Sequence, residues 1–286
     1  MAISPAELLL QCETRARYGP VPSRLLDEPL EPMSWQMRDA AFLLRAKGDH
    51  YFYYRPGEGI TIYRGIDADV SEEPLWLNGS VYAAIASMNG LLPFHASAVA
   101  FEGEVFAFSG PAGAGKSTLA AALGRYGLPL FCDDTLILDM SDPTTLTCLP
   151  GHKRLKLCPD AFALAGAVRE ERVSQGYDKY YATPAAGTVG TAMPLATLMF
   201  LEEGPDMAIS SISGAERFLR VADDHQAFRL FEAANTLGPA ELFAQRASLA
   251  KRIAMSRFVR PMDRAKTDAG IAMVANHIRT HGGSRP

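Results

Sequence analysis

Eight consecutive residues, Gly110-Pro111-Ala112-Gly113-Ala114-Gly115-Lys116-Ser117, satisfy GxxxxGK[ST] at every position. The chemistry served by this pattern is the holding of a polyphosphate. Successive backbone N–H groups wrap the β-phosphate, and a stretch this rich in glycine and alanine keeps larger side chains out of that approach. Lys116 is expected to reach the β- and γ-phosphates and Ser117 to ligate Mg2+. The helix starting here adds its positive N-terminal end, and Thr118 completes the residues expected around the nucleotide.

Two neighbours supply groups that could act on the γ-phosphate. His95 opens the strand that precedes the loop's own strand, and Asp133-Asp134 ends the next apolar run after the loop helix. Strand ends beside a phosphate site are where catalytic side chains converge. One carboxylate of such a pair can serve Mg2+ while the other accepts the proton of an attacking hydroxyl. Adjacent carboxylates repel, which is expected to raise one of their pKa values. A solvated turn is the bland alternative for the pair, and a satisfied structural histidine for His95. Lys153, Arg154 and Lys156 cluster shortly before Pro159, and Lys179 lies between Asp178 and Tyr180. Cations are needed where charge spreads in phosphoryl transfer, so each is a candidate contact; ordinary surface charge is the competing account. Arg229 is a weaker candidate of the same kind.

The elements needed to position these groups are legible. HASAVAF, a turn at Glu102-Gly103, and EVFAFS read as two adjoining strands leading into the loop, and STLAAALGRYG reads as a helix closed by Gly127. LPLFC is a short strand ending at the Asp pair. Farther on, LATLMFLEEG reads as a buried strand, PAELFAQRASLAKRIA as a helix, SRFVRPM as an edge strand and TDAGIAMVANHIRTH as a closing amphipathic helix. Residues 1–90 mix short apolar runs with turn formers, with PGEGITIYRGI as a hairpin piece and VYAAIASMNGLL as a helix. They are expected to form a small α+β lead-in to an α/β catalytic domain with a mixed sheet over 91–286.

Composition bounds the partners. The 286 residues are 48% hydrophobic and 21% charged with a formal net charge of -4, enough for a substantial core and without the basic stripe that nucleic acid or an anionic membrane would require. No window approaches the ~20 apolar residues of a membrane span, and the N-terminus lacks the basic start of a signal peptide. Cys12, Cys132, Cys148 and Cys158 lack zinc-like spacing and read as reduced thiols. Cytoplasmic residence is the expectation.

The run FHASAVAFEGEVFAFSGPAGAGKSTLAAALGRYGLPLFCDDTLILD resembles the catalytic core of the HPr kinase/phosphorylase family, in which a histidine-led strand, a hairpin, a GxxxxGKS loop, a helix and an Asp-Asp pair follow in this order. The resemblance extends over about 90–265 and is sharp over 93–139. It implies a fold related to phosphoenolpyruvate carboxykinase and ATP-dependent phosphorylation of a serine hydroxyl. By position, Lys116 and Ser117 would bind phosphates and Mg2+, Asp133 would be the base, Asp134 would sit on the metal side and His95 would support Asp133. GHKRLKLCPDAF and YDKYY resemble segments of the shorter HPr-kinase-like proteins, some of which phosphorylate a serine of a lasso-peptide precursor. Thr118 stands where the longer family members carry glutamate. The resemblance further implies a homo-oligomer and a peptide or protein partner bearing the acceptor serine. A small-molecule kinase and a nucleotide-operated binding module remain open; no NKxD sequence marks a guanine-reading switch.

Overall fold

The computed structural model describes residues 3–66, 68–151, 154–222 and 230–281. The chain divides into two compact units, Met1–Pro93 with Phe228–Thr236, and Phe94–Ala227 with Leu237–Pro286.

In the first unit, α1 (Pro5–Glu13) starts where the Ser4 hydroxyl accepts the Glu7 N–H at 3.1 Å, with proline in the first turn where its missing N–H costs nothing. Strands β1 (Ala16–Tyr18), β2 (Ser34–Arg38), β3 (Ala41–Arg45), β4 (His50–Arg55) and β5 (Gly59–Arg64) form one sheet in the order β1-β5-β4-β3-β2. The β1–β5 pair is parallel and the rest antiparallel. Phe42, Phe52, Tyr54, Ile60 and Ile62 are buried from this sheet. Helices α2 (Glu73–Trp76) and α3 (Tyr82–Met88) follow, and β4–β5 and α3 fall on the expected hairpin and helix.

The chain continues through β6 (Leu92–Phe94), β7 (Ser97–Phe101), β8 (Glu104–Ser109), α4 (Lys116–Leu123), β9 (Leu130–Cys132), β10 (Leu136–Asp139) and β11 (Thr147–Leu149). Next come β12 (Leu155–Leu157), α5 (Phe162–Ala165), β13 (Val168–Ser174), β14 (Tyr177–Thr183), β15 (Met193–Glu203), β16 (Ala208–Ser211) and α6 (Ala215–Ala222). The chain closes with α7 (Leu230–Ala233), α8 (Pro239–Arg252), β17 (Ala254–Arg260) and α9 (Arg264–His281).

The second unit is built on a mixed sheet. Its centre is β15, parallel to β8 on one side and to β17 on the other; β7 runs antiparallel between β8 and β9. The C-terminal ends of β8, β9, β15 and β17 and the start of β7 therefore share one edge. The expectation that SRFVRPM lies at a sheet edge is corrected: β17 is enclosed by β15 and the antiparallel β16. The covering strand, AISS, is short and mostly exposed, so its sequence carries little strand signal. Helices α4 and α9 pack on the sheet through Leu119, Leu123, Val274 and Ile278 against Phe108, Met199 and Phe258, all nearly inaccessible. Burial of each such side chain is worth about 1.5–3 kcal/mol, and it clamps the helix that follows the glycine loop. A separate three-stranded sheet, β12-β14-β13, completes the unit.

Candidate functional site

The glycine loop joins β8 to α4, and two of its glycines are required by close packing. Gly110 has φ +149, and a Cβ there would lie 3.0 Å from the Leu201 carbonyl of β15. Gly115 caps α4 with φ +82, and a Cβ there would lie 2.8 Å from Arg260 Nη2. Both conformations belong to the region that glycine alone enters cheaply. The Ala114 N–H donates to Pro111 O at 3.1 Å, closing the loop on itself, and Arg260 Nη2 donates to Ala114 O at 2.7 Å from the end of β17. Burial pulls the Arg260 guanidinium below its ordinary value.

Lys116 is the first residue of α4 and is 7% exposed. Its Nζ donates to Gly110 O at 2.8 Å and Pro111 O at 3.2 Å, so the ammonium rests inside the loop against the loop's own carbonyls. Burial lowers its pKa, with Asp134 and Asp133 opposing that shift. Ser117 and Thr118 follow in the same helical turn, where the helix N-terminus faces the loop.

The aspartate pair follows β9 directly. Asp133 is 6% exposed; its Oδ1 accepts the Ser97 hydroxyl at 2.7 Å and its Oδ2 accepts the Lys156 backbone N–H at 3.2 Å. Asp134 takes φ +73, a conformation that aspartate adopts more readily than most residues and that costs about 1–2 kcal/mol. That turn sends its carboxylate to Lys156 Nζ at 2.7 Å and its carbonyl to His95 Nδ1 at 2.9 Å. Burial pushes the Asp134 carboxyl up, but Lys156 with His95 and Lys179 outweighs it and the net shift is downward. The upward shift expected from carboxylate repulsion is thus not found at Asp134, because a cation is seated on it.

His95 reaches Asp134, not Asp133. Burial, then the Lys116 ammonium, lowers the His95 pKa, so the ring is neutral near pH 7. With a carbonyl facing Nδ1, the proton belongs on Nδ1, leaving Nε2 as an acceptor. Ser97, rather than His95, supports Asp133. Nothing singles Ser97 out in sequence except its place two residues after His95.

The basic residues separate. Lys156 is held above its ordinary pKa: burial acts against it, and Asp134 and Asp133 more than compensate. Arg154 turns elsewhere, pairing with Glu170 at 2.7 Å and Glu171 at 2.6 Å and lying 3.6 Å over the Tyr181 ring. Lys179, on β14, acts electrostatically on both Lys116 and Asp134. Lys153 and Arg229 lie outside the described residues. Among the described residues no group of three or more His, Cys, Asp or Glu side chains could by itself hold a metal ion. Magnesium at a phosphate site does not require one, since it takes one or two protein oxygens and completes its shell with phosphates and water. The hydroxyl of Ser117 and a carboxylate of the pair fit that demand.

Two hollows flank the loop. One, of about 740 Å³, is lined by Gly113, Gly115, Thr118 and Arg260 together with residues of α9 and the 159–164 turn. The other, of about 530 Å³, lies against Gly110–Ala114, Phe200–Glu203 and Arg220. Beside the second, Arg220 is paired with Glu202 and Glu216.

No family model matches the chain, and no curated protein matches it. Among solved structures the chain is similar to the Hpr(Ser) kinase/phosphatase from Coxiella burnetii, at 14% identity and a TM-score of 0.35, the match covering 66% of this chain and 89% of that chain. No helix among the described residues is long and apolar enough to cross a membrane.

Proposed function

We propose that the Gly110–Thr118 loop binds the phosphates of Mg-ATP and that the unit transfers the γ-phosphate to a serine hydroxyl of a peptide or protein. The observation that carries this reading is the seating of Lys116 within a complete glycine loop, at the sheet edge that also carries a carboxylate held by two donors. Bound ATP with magnesium supplies a phosphoryl group whose departure from ADP is electrostatically eased. Ser117 and Asp134 would hold the ion. Lys116 and Lys156, with Lys179, provide positive charge where it is needed. The serine Oγ forms the new bond to Pγ as the bond from Pγ to the ADP oxygen breaks, and its proton passes to Asp133, which Ser97 and the Lys156 N–H hold in place. His95 fixes the Asp134 carbonyl and hence the turn that orients both aspartates.

The choice of serine on a peptide follows the resemblance of residues 93–139 to the HPr kinase core, and a lasso-peptide precursor with a C-terminal serine is the acceptor we assign within that class. A homo-oligomer in the cytoplasm belongs to the same reading.

The test is calorimetric titration of Mg-ATP into the protein and its Lys116→Ala variant, followed by single-turnover transfer to serine peptides. The parent is expected to bind in the micromolar range and transfer phosphate. The variant should keep its fold and lose most turnover. Equal turnover by the two, or transfer to a small metabolite and to no peptide, would overturn the assignment.

A further inference from the structure

The phosphate loop leaves open where the rest of a nucleotide lies, and the two hollows beside it differ in chemistry. A nucleotide whose β-phosphate is wrapped by the loop directs its α-phosphate toward the first turn of the following helix, since the loop's N–H groups and the helix N-terminus line up in that order. Thr118, in that first turn, lines the larger hollow and is absent from the lining of the smaller one. The smaller hollow touches Gly110–Ala114 and is lined by Glu202 and Glu203 together with Arg220 and Arg260, with Arg220 already engaged by Glu202.

The larger hollow has the size of an ordinary small-ligand site. Leu119, Phe258 and Ile271 form its buried apolar floor. Arg260, already fixed to the loop by Ala114 O, adds a planar guanidinium to its wall, a surface that stacks on aromatic rings. The charged groups stand at the rim and are engaged with one another. Arg125 Nη1 meets Asp268 Oδ1 at 2.9 Å, and Arg264 pairs with Asp160. A carboxylate in such a pair retains lone pairs for a sugar hydroxyl. The floor is aliphatic and aromatic, and the charges of these two pairs are taken up by one another.

We propose that this cleft, between α4, the Pro159–Ala165 segment and α9, receives the nucleoside of the loop-bound triphosphate and holds the base by shape and stacking, so that ATP and GTP are accepted alike. The inference rests on the phosphate-loop reading above. It adds the location of the nucleoside and a low selectivity for the base. A site that does not hydrogen-bond a substrate's edge groups discriminates weakly among rings of similar shape, whereas one built on such bonds rejects the analogue that lacks them.

The experiment measures dissociation constants of Mg-ATP, Mg-GTP and magnesium tripolyphosphate for the parent, for Thr267→Trp and Ala163→Trp, which fill the cleft from opposite walls, and for Glu203→Trp on the other flank. The parent should bind both nucleotides within about threefold of each other and more tightly than tripolyphosphate. Each cleft variant should weaken both nucleotides by about tenfold or more and leave tripolyphosphate unchanged, and Glu203→Trp should change none of the three. Two cleft variants of different helices and turns guard against a misfolded one, which its melting curve would reveal. Unchanged nucleotide binding in the folded cleft variants, or loss confined to Glu203→Trp, overturns the location. A hundredfold preference for either nucleotide overturns the tolerance. If the parent binds tripolyphosphate but gains nothing from a nucleoside, only the present inference falls; if it binds none of the three, the phosphate-loop reading falls and takes this one with it.

Discussion

Ser97 Oγ donates to Asp133 Oδ1 at 2.7 Å, joining two buried residues 36 positions apart in the chain. The pairing of β7 with β9 brings them together: Ala98 is registered with Cys132, so the residues just outside that pair fall beside each other at the sheet edge. The hydroxyl fixes one carboxylate oxygen, while the Lys156 N–H holds the other. A carboxylate is thereby oriented by two donors.

That relationship separates positioning from proton acceptance. Asp133→Asn is expected to lower phosphotransfer by at least ~100-fold with Mg-ATP affinity nearly unchanged. Ser97→Ala removes the donor but leaves the carboxylate, so transfer should fall by a smaller factor, about tenfold, and the protein should lose about 1.5–3 kcal/mol of stability. Single-turnover transfer, nucleotide titration and urea denaturation on both variants check this. An Asn variant as active as the parent would remove Asp133 from the chemistry.

The loop glycines predict a graded response. At Gly110 an added Cβ meets the Leu201 carbonyl, part of the β15 backbone and unable to move without disturbing the sheet. At Gly115 it meets the tip of Arg260, a side chain that can swing away at the loss of its hydrogen bond to Ala114 O. Gly110→Ala should therefore destabilise the fold by more than Gly115→Ala, while Gly115→Ala should act mainly on nucleotide binding. Arg260→Met combined with Gly115→Ala relieves the close contact, leaving the backbone strain of about 1–2 kcal/mol. Thermal melts and Mg-ATP titrations of the three variants distinguish steric from conformational cost.

A pH prediction comes from the first unit. Glu73 accepts from Arg64 Nε at 2.6 Å and from the Tyr18 hydroxyl at 2.7 Å, with its side chain 8% exposed. Burial pushes the Glu73 carboxyl up, but the Arg64 and Tyr18 hydrogen bonds outweigh it and the net shift is downward. A carboxyl whose folded pKa is depressed contributes stability above its unfolded value and loses that contribution as the pH falls toward and through the folded one. The unit's melting temperature should accordingly drop below about pH 4.5, the ordinary glutamate value. Glu73→Gln should melt lower at neutral pH and show a shallower acid limb; parallel pH curves for the two proteins would refute this.

The residues 108–123 carry their local structure openly. Small residues, a strand pattern before them and an alanine-rich helix after them follow from short-range sterics, and the loop forms where it is expected. The strand ending at Cys132, the hairpin turning at Glu102-Gly103 and the helix closed near Gly127 are likewise local matters of period and turn chemistry. What sequence spacing cannot express is which distant groups meet at the sheet edge. Ser97 reaches Asp133, Lys156 seats on Asp134, and Arg260 braces the loop from a strand that lies 146 residues beyond Ala114. Those partners are chosen by strand order and register, which place the ends of β9, β7, β8, β15 and β17 along one edge. The same pairing encloses β17, whose own residues read as an edge strand, because its neighbour β16 is too short and too polar to announce itself. Local chemistry determines the glycine loop; only the long-range pairing of strands determines the charges and the carboxylate that surround it.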